Sequence, residues 1–300
     1  MTLAGGILIL ITIISSFLIV AVAPYIKIVT NNYFFWLALG LLLLVYLITF
    51  RFADEWKQFG TGMWTSIVIS RAFMLDMCPF SAFFICVLIT VDPTRKLASI
   101  LAPFAIFGGL ITIVGGYAFN GDNGEPPQLD WHYVLIGTPD NPIYFMMHYI
   151  NVVIGMAVLV STPKLGFQRY VMGNVFAILY FSYVGIMVAI FHVTDHATGM
   201  VPGDWANDGE YAAVSEILHL GYPGCMILGL LGAYLAIVLI IFLGALLQKS
   251  KRYRWYNVRN QKWYKGWYKL QLNKQDLKKF NQQEKVFNLR ETLQFWKHRI

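Results

Sequence analysis

The sequence predicts an all-α fold: a polytopic membrane bundle of seven transmembrane helices, with its N-terminus outside and its C-terminus cytoplasmic. Three observations predict it. Hydrophobic residues make up 57% of the chain and charged residues only 13%, against about 25% charged in an average soluble domain. Several apolar runs approach or exceed the ~20 residues that cross a bilayer. The loops between the runs alternate in charge, in the phase that seven crossings require.

Taken in order, the helices are expected near 6–23, 33–50, 64–91, 97–118, 143–162, 170–192 and 222–247. The first has no basic residue before it and no small-x-small cleavage site, so it reads as a retained helix rather than a signal peptide. The second closes at the mixed stretch "RFADEWKQ", read as a loop. The third is long and is expected to tilt or to begin as an interfacial segment. The loop "VDPTRK", with Arg95 and Lys96, precedes the fourth, and "STPKLGFQR", with Lys164 and Arg169, follows the fifth. The long loops 119–142 and 193–221 hold no Lys or Arg, only acids: Asp122, Glu125, Asp130 and Asp140 in one, Asp195, Asp204, Asp208, Glu210 and Glu216 in the other. Basic loops mark the cytoplasmic side. The three cysteines, Cys78, Cys86 and Cys225, fall in or beside apolar segments, which speaks for buried thiols and against a disulfide framework.

Two domains follow: the seven-helix unit 1–248, and a basic, aromatic-rich cytoplasmic tail 249–300. The tail carries 15 Lys/Arg against three acids, a net +12, while the remainder is −5. Basic residues just inside a membrane bind anionic phospholipid, at about 1 kcal/mol per charge, and interleaved Trp and Tyr suit the headgroup zone. Leu277, Phe280, Phe287, Leu289 and Leu293 give its second half the pattern of an amphipathic helix. The tail therefore reads as a lipid-surface anchor or as a docking arm for protein subunits. Nucleic acid is not the expected partner, and the localisation expected is the plasma membrane, multi-pass.

Few polar groups remain inside the spans, and such groups normally face the bundle interior. They are Arg71, Asp76 and Cys78 in the third helix, His148 and Asn151 in the fifth, Asn174 in the sixth and His192 at its end. Seven residues of helix leave Arg71 and Cys78 about 20° from alignment, whereas Arg71 and Asp76 differ by about 140°. Pro79 is expected to kink this helix and to bias Cys78 away from helical dihedrals. Tyr144 and Asn151 lie one turn either side of His148 and are placed to fix its ring and tautomer. A cysteine with a nearby histidine is the minimum for a thiol nucleophile; a lone helical cysteine is more often apolar filler. His192 and His196, with Asp195 between them, have the i,i+4 spacing of a metal pair, although Gly199 and Pro202 say that the helix is ending. No cofactor is expected.

The order "LDMCPFSAFFICVLI", "FAIFGGLITIVGG", "NPIYFMMHYINVVIG" and "GYPGCMILGLLGAYLAIVLIIFLGALL" resembles the YwaF-type integral membrane family, over roughly residues 35–247. That family includes a vertebrate transmembrane acyltransferase of ether phospholipids. The resemblance implies a lipid acyltransferase or hydrolase in which Cys78 and His148 are the catalytic pair, an acyl chain passing between phospholipids through a cysteine thioester; the abundance of Lys, Asn, Ile, Phe and Tyr resembles that of an AT-rich bacterium. Arg71 or a backbone donor would stabilise the oxyanion or a lipid phosphate. Two departures stand out: Asp76 occupies a position where the family often has histidine, and "HATGMVPGDW" replaces an Asn-Tyr-rich stretch. A non-enzymatic anchor or scaffold subunit, working through its tail, is the other reading. Depth separates the pair: Cys78 lies ~21 Å into the third helix, His148 only about five residues into the fifth, so the two meet only if the third helix tilts or enters the membrane nearer residue 69.

Overall fold

The computed structural model describes residues 2–22, 33–92, 94–120, 127–139, 141–162, 167–206, 209 and 211–249. Regular structure among them is entirely helical. The basic tail expected in the sequence lies outside the described residues from position 250 onward. The helices are α1 (Leu3–Val22), α2 (Tyr33–Leu47), α3 (Ala53–Gly60), α4 (Ser66–Phe73), α5 (Met77–Val91), α6 (Lys96–Gly115), α7 (Trp131–Leu135), α8 (Tyr144–Ser161), α9 (Phe167–Phe191), α10 (Ala212–Leu218) and α11 (Gly224–Lys249). They make up seven rods long and apolar enough to cross a membrane: α1, α2–α3, α4–α5, α6, α8, α9 and α11.

Two rods depart from the sequence expectation. The second does not end in a loop after residue 50, because a π-turn at Ile48–Phe52 carries α2 into α3. Tertiary partners keep this mixed stretch helical. Glu55 is buried and holds Arg71 at 3.2 Å, and the Trp56 indole N–H donates to the Ala72 carbonyl at 2.9 Å.

The third rod is broken rather than kinked. Helix α4 ends with Met74 in the left-handed region (φ 54°), and the Leu75 N–H turns back to the Ser70 carbonyl at 2.8 Å, the hydrogen bond of a Schellman cap. Asp76 then restarts the chain in extended geometry and α5 begins at Met77. Pro79 is therefore in the first turn of a new helix, where its missing N–H would have had no helical acceptor. Cys78 is helical, contrary to the expected bias.

The break is filled by the segment that follows α9. Thr198 accepts the Met77 N–H at 3.0 Å and donates to the Leu75 carbonyl at 2.7 Å. The hydroxyls of Tyr180 and Tyr183 donate to the carbonyls of Leu75 (2.7 Å) and Phe73 (2.6 Å). Asp204, with no exposed surface, shapes the segment by accepting the N–H groups of Ala197 (3.2 Å) and Gly199 (2.8 Å). Irregular backbone inside a helical bundle is tolerated where protein satisfies it in this way.

Helices α6 and α8 form the centre. A Cβ on Gly109 would lie 2.6 Å from the His148 carbonyl, and one on Gly155 2.8 Å from Ile106. Only glycine permits this approach, the small-residue packing of membrane helices. Helix α1 joins α8 through a Tyr149–Ser15 hydroxyl bond of 2.8 Å, and α5 packs between α2 and α6. Rods α9 and α11 are peripheral, with only 11% and 6% of their most apolar windows buried inside the chain.

Candidate functional site

Cys78 lies in the first turn of α5, partly exposed, while Cys86 and Cys225 are buried. Its Sγ is 3.5 Å from Thr112 Oγ1 on α6. Gly108, one turn before Thr112, makes room for it, since a Cβ there would come within 3.1 Å of the sulfur.

His148 is 3% exposed on α8. Its Nδ1 is 2.6 Å from the Tyr144 carbonyl. A carbonyl only accepts, so Nδ1 carries the proton, and in the neutral ring Nε2 holds the lone pair. The Tyr144 ring meets the imidazole edge-on at 4.7 Å between centroids, and its hydroxyl donates to the Thr112 carbonyl at 3.2 Å. One turn along, Asn151 donates through Nδ2 to the Cys78 carbonyl at 2.8 Å. Ser81 Oγ lies within reach of both Asn151 Oδ1 (3.2 Å) and the Cys78 carbonyl (3.1 Å).

These contacts close a ring across three helices. It runs from the Cys78 thiol to Thr112, to Tyr144, to His148, then along α8 to Asn151 and back to the Cys78 backbone. Four of its members were singled out from the sequence: Cys78, Tyr144, His148 and Asn151. Thr112, Ser81 and Gly108 were not. The third helix is not continuous, and Cys78, in the first turn after the break, lies against Thr112 on α6. The thiol is thus linked to the imidazole in steps, through Thr112 and then Tyr144.

The other sequence candidates lie elsewhere. Arg71 binds Glu55 on α3 and stands across the break from Cys78, so the face implied by the seven-residue spacing is not built. Asp76 accepts the Thr198 N–H at 3.1 Å and lies 3.4 Å from Ser70 Oγ, fastening the loop to the break. Asn174 donates to the Tyr170 carbonyl (2.8 Å) and accepts from Tyr234 (3.1 Å), clasping α9 to α11. His192 and His196 both have positive φ, 53° and 56°. His192 is the left-handed cap of α9, with the Val193 N–H returning to Val188 at 3.3 Å. The helical face needed for a His192–His196 metal pair with Asp195 therefore does not form, and among the described residues no group of three or more His, Cys, Asp or Glu could hold a metal ion.

A family model described as a family of unknown function (DUF5378) matches residues 8–292. The chain is similar to the uncharacterized protein MG135 of Mycoplasma genitalium, 30% identical over 234 residues that cover 75% of this chain and 82% of that protein. It is also similar to the MG135 homolog of Mycoplasma pneumoniae, 34% identical over 157 residues, 52% of this chain and 53% of that protein. No solved structure matches.

Proposed function

The chain belongs to the DUF5378 family of unknown function, and we propose that this member is a multi-pass protein of the bacterial plasma membrane that transfers fatty acyl groups between phospholipids through Cys78. Loop charge supports an N-terminus outside and a cytoplasmic C-terminus. The observation that carries the activity is the polar ring, which puts a partly exposed thiol and an Nδ1-protonated imidazole on adjoining helices.

In the proposed reaction His148 Nε2 takes the Cys78 proton. The sulfur attacks an acyl-ester carbonyl; a C–S bond forms, the C–O bond breaks, and the leaving lysolipid oxygen takes the proton back from Nε2. A second hydroxyl, from a lysolipid or from water, then gives its proton to Nε2 and attacks the thioester. The new C–O bond forms as the C–S bond breaks, and the thiolate recovers the proton. Thr112, whose hydroxyl lies 3.5 Å from Sγ, is the side-chain donor nearest to where the oxyanion of the tetrahedral intermediate would form. Arg71, held by Glu55, is not used.

The test is labelling of the full-length protein in membranes with an alkyne-tagged acyl phospholipid, read as hydroxylamine-sensitive signal. Wild type and Cys86→Ser should label, Cys78→Ser should not, and His148→Ala should label more slowly by about 10²–10⁴-fold. Equal labelling of wild type and Cys78→Ser would overturn the enzyme reading and leave the scaffold reading standing.

A further inference from the structure

Arg169 occupies the first turn of the 25-residue helix α9 and is 2% exposed. Its Nε and Nη2 are buried and neither has a hydrogen-bond partner. A bare guanidinium inside protein is expensive, and buried charges are normally paired. Arg169 sits in the first turn of the helix, where Cα–Cβ bonds tilt toward the N-terminus and the first backbone N–H groups have no helical acceptor. Chain geometry fixes which end of the bundle this is. Thr162 and Phe167 are five chain steps apart, a reach of at most about 18 Å. Thr162 and Ser161 in turn contact Arg95 at the start of α6.

Other buried donor groups lie at this end. Arg95 lies over the Trp36 ring at 5.0 Å and donates to the Ser161 carbonyl at 3.4 Å. The Trp36 indole N–H is itself buried without an acceptor. Among the described residues, Asp92 is the carboxylate in the adjoining loop, and both of its oxygens are occupied by backbone N–H groups, of Thr94 (2.8 Å) and Leu97 (3.0 Å). A buried guanidinium whose N–H groups lack acceptors calls for an anion, and its planar fork matches phosphate oxygens two at a time.

We propose that Arg169 anchors a phosphate-bearing ligand at the start of α9, separate from the Cys78 ring and independent of any chemistry there. The phosphate can come from a phospholipid headgroup or from a soluble phosphate, and the experiment distinguishes the two. The full-length protein in detergent is titrated with phosphatidylglycerol, with diacylglycerol as a phosphate-free control, and with inorganic phosphate. Thermal midpoint and bound adducts by native mass spectrometry are read for wild type, Arg169→Lys and Arg169→Met. The basic tail is the same in all three, so differences report Arg169.

The expected result is stabilisation and a retained adduct in wild type, with binding about tenfold or more weaker in Arg169→Met and intermediate in Arg169→Lys. Protection by phosphatidylglycerol alone identifies a lipid, and equal protection by inorganic phosphate identifies a soluble ligand. Equal responses of wild type and Arg169→Met, or diacylglycerol matching phosphatidylglycerol, overturn the proposal. So does an Arg169→Met protein that melts higher than wild type while neither responds to phosphate, the signature of an unliganded buried charge. If Arg169→Met fails to fold, the wild-type response and Arg169→Lys decide the matter.

Discussion

Replacing Thr198 by valine removes one hydroxyl and almost no volume, at a residue only 9% exposed. That hydroxyl accepts the Met77 N–H and donates to the Leu75 carbonyl. Tyr180 still donates to Leu75 at 2.7 Å, so the carbonyl keeps a partner. The Met77 N–H is left facing a methyl group. Stranding one buried donor and losing a second hydrogen bond should destabilise the fold by about 2–3 kcal/mol. Backbone strain does not enter the comparison, because threonine and valine are both β-branched and share the penalty of φ 54° at this position. Thr198→Ser keeps the hydroxyl and gives up one buried methyl, so it should lose about 1 kcal/mol or less. Equilibrium unfolding in mixed micelles, followed by tryptophan fluorescence, measures both. A valine variant as stable as wild type, or a serine variant as damaged as the valine one, would refute the idea that Thr198 holds the broken rod together.

Two further outcomes are expected. Gly109→Ala drives a methyl to 2.6 Å from the His148 carbonyl and 2.8 Å from Val152, against backbone that cannot step aside, and should lose about 1–3 kcal/mol or more. Gly108→Ala meets only the Cys78 sulfur at 3.1 Å and should melt above it; the reverse order would contradict the packing described. Glu55→Gln strips the carboxylate from Arg71 in a pair whose side chains are 6% and 18% exposed. Because the two side chains are in contact, Glu55→Gln/Arg71→Gln should depart from the sum of the single changes by about 0.5–3 kcal/mol, and strict additivity in the same unfolding assay would show that the pair is not coupled.

The seven rods were legible because length and hydrophobicity alone mark a bilayer crossing. The break in the third was not. Met74 is an ordinary helix residue, Asp76 was weighed as a buried charge rather than as the N-cap it is, and Pro79 drew attention to the wrong place. What stops the helix is a partner 120 residues away, Thr198, supplying the hydrogen bonds that continuation would have made. The same reason hid Glu55: a mixed stretch reads as a loop until its acid is seen to meet Arg71. At the candidate site, Cys78, Tyr144, His148 and Asn151 were readable as polar or reactive groups in apolar helices. Thr112 and Ser81 were invisible, since serine and threonine inside membrane helices ordinarily bond their own preceding carbonyls and carry no signal of a distant partner. His192 and His196 misled in the opposite sense, because spacing presumes a helix and both residues have left it.

The interruption between α4 and α5 has an electrostatic consequence. An unbroken helix would carry its partial charges only at its two ends, near the membrane surfaces. Dividing it creates two more, each equivalent to about half an elementary charge, back to back within the rod. The negative one, at the Phe73 and Leu75 carbonyls, faces the hydroxyls of Tyr183, Tyr180 and Thr198. The positive one opens at Met77 and Cys78. Any negative charge that forms on the Cys78 sulfur, or on an atom bonded to it, would form in the field of a helix terminus set inside the rod.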